Sequence, residues 1–267
     1  MVDLAAREKT PTQSDRLIVR RRTLLKGLAS LGGVALAGCA EESPPTYGNI
    51  LRMGDVLTYK AHRLLLPTHA LAKEYARRDI TSIPAIGTTD PADPRQPLFT
   101  PASGDDYARL RRGAFADWRL EIAGSVARPV SYSLEDLKRF PARTQVTRHT
   151  CEEGWSAIAE WTGVPLRTVL EASGVTSSAR FVQFYCYDVV ADGIDMLDAL
   201  HPQTILAYGM NGRDLPIAHG APLRARVETQ LGYKSMKFLK RIVVTDEFDD
   251  LGPYGPLQNG YAWYAGI

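Results

Sequence analysis

From Trp118 onward the chain is written in short β-type segments with only brief helical patterns between them. WRLEIAGSV and RTQVTRHT alternate apolar and polar residues with the period of a half-buried strand. ARFVQFYCYDVV, TILAYGM, PLRARVET and KFLKRIVVTDEF are rich in β-branched and aromatic residues and read as further strands. SLEDLKRF opens on a serine cap, carries Glu-Asp in its first turn and stops at Pro141, so it is a short helix. Pro165–Ala172 is a second, with proline in the first turn and Gly174 past the end. DMLDAL is a third, and NGRDLP is a turn headed by Asn-Gly. A doubly wound sheet needs a crossover helix after nearly every strand. No such βαβ rhythm is present, so the pattern points to an α+β fold.

Upstream the texture differs. Asp55–Ala76 carries apolar positions at helical spacing and predicts one or two helices divided at Pro67. Ile83–Ser103 holds five prolines and is expected to be extended and irregular. Ordered loops of that length usually carry or cover a site. With 267 residues, 45% of them hydrophobic, the chain can bury a full core. The formal charge of +2 and the lack of a basic stripe argue against nucleic acid as a partner.

The N-terminus reads as a targeting segment. Arg20-Arg21-Arg22-Thr23-Leu24-Leu25-Lys26 runs into LKGLASLGGVALAG, an apolar stretch of about 14 residues, too short to span a bilayer. Paired arginines before such a stretch resemble a twin-arginine signal, a route that exports proteins already folded. Leu36-Ala37-Gly38-Cys39 resembles a lipobox, and lipidation at Cys39 would anchor the chain to a membrane. The expected organisation is a signal over 1–39, a polar, Pro-rich tether over 40–50 and one catalytic domain over 51–267, located in the periplasm or cell envelope.

Much familiar chemistry is absent. There is no G-x-G-x-x-G, no Walker sequence, no G-x-S-x-G, no C-x-x-C and no HExxH among the five histidines. Beyond Cys39, two cysteines remain. Cys186 lies within FVQFYCYDVV and has the setting of a small buried residue. Cys151 lies in RHTCEEGW, at the end of a strand, with Arg148 and His149 before it and Glu152 and Glu153 after it. Nearby cations stabilise a thiolate, which can attack carbon or bind a soft metal. A disulfide with Cys186 is a further possibility outside the cytoplasm. Near the C-terminus, HGAPLRARVETQLGYKSMKFLKRI gathers His219, Arg224, Lys234 and Lys237 around glycine turns. Such a set makes an anion site, most simply for phosphate, or else a solvated basic hairpin.

Taken together, RHTCEEGWSAIAEWTGVPLRTVLEASG, ILAYGMNGRDLPIAHGAPLRARV and GYKSMKFLKRIVVTDEF resemble, in order, segments of the sulfite oxidase and periplasmic methionine sulfoxide reductase family of molybdopterin-dependent oxidoreductases. The resemblance implies a mixed-sheet α+β fold of the sulfite oxidase type and a molybdenum–molybdopterin cofactor with a single dithiolene. It implies that Cys151 ligates molybdenum and that His219, Arg224, Ser235, Met236 and Lys237 hold the pterin and its phosphate. Cys186 falls where the reductases have a cofactor-contacting threonine. Gly87 and Thr88 fall in a further cofactor segment of the family. Ser156 stands where sulfite-oxidising members carry an arginine, which weakens that substrate. Glu153 is the candidate proton donor, with a salt bridge to Arg148 as its alternative role.

The expected activity is two-electron oxygen-atom transfer on a small-molecule substrate, either S-oxide reduction or sulfite-type oxidation. Without a C-x-x-C-H haem motif, electrons are expected from a separate cytochrome or membrane haem subunit. The aromatic tail NGYAWYAGI is expected to fold back over the body. A non-catalytic surface lipoprotein that keeps the fold as an anion-binding module, and a thiol enzyme using Cys151 as nucleophile, are the alternatives.

Overall fold

Arg119–Gly124 (β1) turns Leu120 and Ile122 inward and Arg119 and Glu121 outward, the alternation expected of a strand with one buried face. Val130–Ser133 (β2) pairs with it antiparallel on one side. On the other side β1 runs parallel to Leu239–Thr245 (β10), with Glu121 opposite Arg241. Phe181–Cys186 (β5) and Ala191–Asp195 (β6) continue antiparallel, giving a mixed five-stranded sheet in the order β2-β1-β10-β5-β6. The second sheet is antiparallel throughout. It runs Arg143–Thr150 (β3), Ser156–Pro165 (β4), Ile205–Met210 (β7) and Arg213–Asp214 (β8), and Arg224–Arg226 (β9) pairs with β7. Trp118, Phe184, Ile242 and Val244 of the first sheet region share one core with Val164, Leu206, Leu223 and Ala225 of the second. This computed structural model describes residues 49–67, 70–248, 251–255 and 259–267, within one compact unit, Pro44–Ile267. The twin-arginine and lipobox segments lie outside the described residues. Among the described residues no helix is long and apolar enough to cross a membrane.

Among the described residues five α-helices accompany the sheets: Asn49–Leu65 (α1), Pro101–Arg112 (α2), Leu134–Arg139 (α3), Leu166–Ser173 (α4) and Met196–Ala199 (α5). The local signals for two of them act as expected. At α3, Ser133 Oγ accepts from the Asp136 amide and the Asp136 carboxylate accepts from the Ser133 amide, both at 3.0 Å. At α4, Gly174 takes the left-handed conformation that ends the helix, with φ of 69°. The Asn211–Gly212 turn, with positive φ at both residues, joins β7 to β8.

Three elements differ from the sequence pattern. After Pro67 no second helix forms among the described residues. Instead the Tyr75 amide donates to Val146 O at 2.8 Å, and the segment runs along the edge of β3. The irregular stretch from Ile83 ends at Pro101, which starts α2 at the position where a missing N–H costs nothing. β4 was not legible because both of its faces are largely covered and its burial shows no period of two. The C-terminal tail does fold back. The Leu231 amide donates to Ala265 O at 2.8 Å and the Ile267 amide to Thr229 O at 3.0 Å.

Candidate functional site

β9 carries charge at alternate positions, and both charges point into the protein. Arg224 and Arg226 are 5% and 1% exposed, and their guanidinium carbons lie 4.9 and 4.5 Å from the ring centre of Trp161 on β4. Arg226 is neutralised by Glu228 at 2.7 Å and reaches Nδ1 of His149 on β3 at 2.6 Å. Arg224 is different. Its Nη1 and Nη2 donate to the carbonyls of His219 and Ser235 at 3.0 and 2.9 Å, and it has no carboxylate partner among the described residues. Burial, and then Arg226, push its pKa down to about 9.

Arg224 opens onto a cavity of about 210 Å³ whose walls come mainly from four separate stretches, with Leu98 and Val190 beside them. These are the loop Ile83–Thr88, the β3–β4 turn with His149, Glu152 and Trp155, Ala218–His219, and Gly232–Lys237 apart from Lys234. Lys237 ties two of them together by donating to Ile86 O at 2.8 Å and to Thr88 O. It too lacks an ion pair among the described residues, and burial followed by Arg224 lowers its pKa to about 8. Burial lowers His219 to about 4, with Arg224 and Lys237 adding to the effect. Asp188 also lines the cavity. Burial raises its carboxyl to about 7 against the pull of Lys237. Two glycines make the walls close. A Cβ at Gly220 would sit 2.9 Å from Lys237 Cβ, and one at Gly232 would sit 2.5 Å from the His149 ring.

Cys151 sits in the turn between β3 and β4. Its amide donates to Trp155 O at 2.9 Å, and Gly154 takes φ of 90° to close the turn. The Cys151 sulfur lies 3.4 Å from a carboxylate oxygen of Glu152, itself a wall residue, and accepts from the Glu153 amide at 3.5 Å. The surroundings do not favour a free thiolate. Burial pushes the thiol up to about 11, and the Glu152 and Glu153 carboxylates add to that, while the Glu153 amide opposes it. Arg148, the cation that the sequence set beside it, lies over the ring of Tyr75 instead. Cys186 is sealed in the main core, and the two cysteines are free thiols, not a disulfide. Glu153 accepts the Trp155 indole N–H at 2.9 Å in place of the anticipated pairing with Arg148.

The family described as the oxidoreductase molybdopterin binding domain matches residues 109–251. The chain belongs to this family. A protein of Azospira oryzae, named as a protein-methionine-sulfoxide reductase subunit, YedZ1, is 35% identical over 92% of this chain and 87% of its own length. The protein-methionine-sulfoxide reductase catalytic subunit MsrP of Xanthomonas campestris pv. campestris is 30% identical over 97% of this chain and 81% of its own. The same subunit of Xanthomonas axonopodis pv. citri is 30% identical over 92% and 76%.

As a molybdenum-dependent oxidoreductase of this family, the chain uses a molybdenum–molybdopterin cofactor, and the cavity suits such a group. Two buried cations with no ion pair among the described residues suit an anion, as the cofactor's phosphate is. One thiolate donor suits a metal that brings sulfur ligands of its own. Among the described residues no cluster of three or more His, Cys, Asp or Glu could hold a bare ion. Of the residues chosen from the sequence, Gly87, Thr88, His219, Arg224, Ser235, Met236 and Lys237 converge on this cavity. Cys151 adjoins it, and Cys186 and Glu153 are not in its wall. Sequence reasoning missed the Arg226–Glu228 pair and the place of Glu152 and Asp188. Arg224, Arg226 and Glu228 at i, i+2 and i+4 of PLRARVET, a segment that reads as a strand, were the available signal.

Proposed function

We propose that this chain is an exported oxidoreductase that reduces S-oxides, of the kind its methionine sulfoxide reductase relatives are named for, with Cys151 as the protein's ligand to molybdenum. The supporting observation is Arg224 and Lys237, buried with only carbonyls as hydrogen-bond partners among the described residues, facing a cavity that Cys151 adjoins. When bound, the cofactor supplies a metal centre able to take an oxygen atom from a substrate with a two-electron change. The overall reaction, an S-oxide plus two protons and two electrons giving a thioether and water, sets what the chain must provide. Arg224, Lys237 and the backbone of 235–237 hold the anionic end. Ser156 stands where sulfite-oxidising proteins of the resembled family carry an arginine, which favours a neutral substrate over sulfite. Glu153 is exposed and takes protons from solvent, and Glu152 lines the cavity and passes them inward. Electrons come from a separate haem-bearing partner. The twin-arginine leader exports the loaded, folded chain, and Cys39 carries the lipid anchor.

The test is direct. Protein made in a host with molybdopterin synthesis and twin-arginine export should carry about one molybdenum per chain and reduce methionine sulfoxide with a reduced dye. Cys151→Ser should lower kcat by at least about a thousandfold, some 4 kcal/mol of transition-state stabilisation, and remove one Mo–S contact from the X-ray absorption spectrum. Full activity with unchanged sulfur ligation would refute the assignment. Metal-free protein from such a host would favour a binding module instead.

A further inference from the structure

The Arg226–His149 contact fixes more than position. Nη1 of Arg226 lies 2.6 Å from Nδ1 of His149, while its Nε and Nη2 hold Glu228 at 3.1 and 2.7 Å. The Glu228 carboxylate also accepts from Gln145 Nε2 at 2.9 Å, and the guanidinium lies against Trp161. A guanidinium offers only N–H donors and keeps them at any pH a protein tolerates. Nδ1 must therefore present a lone pair, and the single ring proton is on Nε2. The Nε2 edge is the one beside Gly232, whose missing side chain leaves it room. His149 lines the cavity, and no described residue accepts a hydrogen bond from its Nε2.

We infer that His149 is a cofactor-facing hydrogen-bond donor, locked as the Nε2–H tautomer by the Arg226–Glu228 pair, in the wall of the cavity that Cys151 adjoins. Its N–H is offered to an electron-rich atom there. Arg226 and Glu228 are positioning residues that act through His149. The inference rests on the proposed placement of the cofactor in this cavity. Molybdenum content and Mo–S coordination test that placement, and ring tautomer tests this one, so the two can fail separately. A hydrogen bond donated to a metal's ligand set favours the reduced centre and raises its potential.

The experiment uses cofactor-loaded protein labelled with ¹⁵N in histidine, read by long-range ¹H–¹⁵N correlation. His149 should show an unprotonated Nδ1 and a protonated Nε2, assigned by the loss of its signals in His149→Gln. Arg226→Met should let both tautomers appear. The midpoint potential of the metal should fall in His149→Leu and be largely restored in His149→Gln, whose amide keeps a donor. A wild-type ring protonated at Nδ1, or at both nitrogens, overturns the lock. Equal potentials in the wild type and both variants overturn the contact. If His149→Leu does not load, the wild-type tautomer and the potential of Arg226→Met, expected to lie below wild type, decide the matter in its place.

Discussion

Lys237 holds a charge where water is scarce, and its partners are carbonyls, not carboxylates. Its pKa of about 8 lies below the ordinary 10.5 because of burial and then Arg224. Below pH 8 the lysine is charged both folded and unfolded, and the cost of burying that charge is fully present. As pH rises from 8 towards 10.5 the folded state loses the proton first, and the cost is relieved. Cofactor-free protein should therefore gain stability across that window relative to Lys237→Met, as read from urea midpoints at pH 7, 9 and 10. A bound phosphate favours the charged form, so the gain should vanish in loaded protein. Cys151 gives a second residue-scale prediction. A thiol raised to about 11 should alkylate slowly at pH 7 in cofactor-free protein, and binding of metal should release its proton. Rapid labelling would restore the nucleophile reading. At this scale the sequence was informative about residue type and misleading about surroundings. Arg148 stands three places before Cys151, yet a strand sends the two side chains to different neighbours.

Among the elements, α1 is tied to the body by the ion pairs of one side chain. Arg63 Nη2 lies 2.8 Å from both Asp195 and Asp198, and those carboxylates are 6% and 2% exposed. Burial and the neighbouring Asp198 raise the Asp195 pKa, and the Arg63 guanidinium opposes that rise. Arg63→Met leaves two buried carboxylates unpaired and should cost about 3 kcal/mol. Urea unfolding would measure the loss, and hydrogen exchange should show protection lost first along 49–65. A loss below about 0.5 kcal/mol would mean that α1 is held by Tyr59 against Trp263 and Tyr264 instead. Legibility at this scale followed burial. Strands with one wet face, such as β1, and helices with local caps, such as α3, could be read from the sequence. β4 could not, because Ala157, Ala159, Trp161 and Val164 alternate with residues that are themselves mostly covered. Nor could the course after Pro67, which is set by hydrogen bonds to Val146 and not by its own apolar spacing.

At the scale of the whole molecule, the cavity wall is built and backed by parts far apart in the chain, and the C-terminal tail backs one of them. The tail binds the segment Thr229–Tyr233 through the Leu231 and Ile267 amides, and Tyr233 donates its hydroxyl to Ala262 O at 2.7 Å. Gly232 and Tyr233 are in turn part of the cavity wall. α1 packs over the tail, with Tyr59 5.0 Å from the ring centres of Trp263 and Tyr264. The three layers make retention of the cofactor depend on contacts that never touch it. Any ligand that binds only the closed arrangement must pay for closing it, and its apparent affinity falls by the fraction of molecules that are open. Ending the chain at Gly260 should therefore weaken retention more than it weakens the fold. With each lost hydrogen bond contributing about 1 kcal/mol, the four bonds from the tail to 229–233 correspond to roughly a thousandfold faster loss of molybdenum during dialysis. The core strands β5 and β10 should keep their exchange protection in the same sample. Equal losses of metal and of core protection would show that the tail supports the fold as a whole and not the wall of the site.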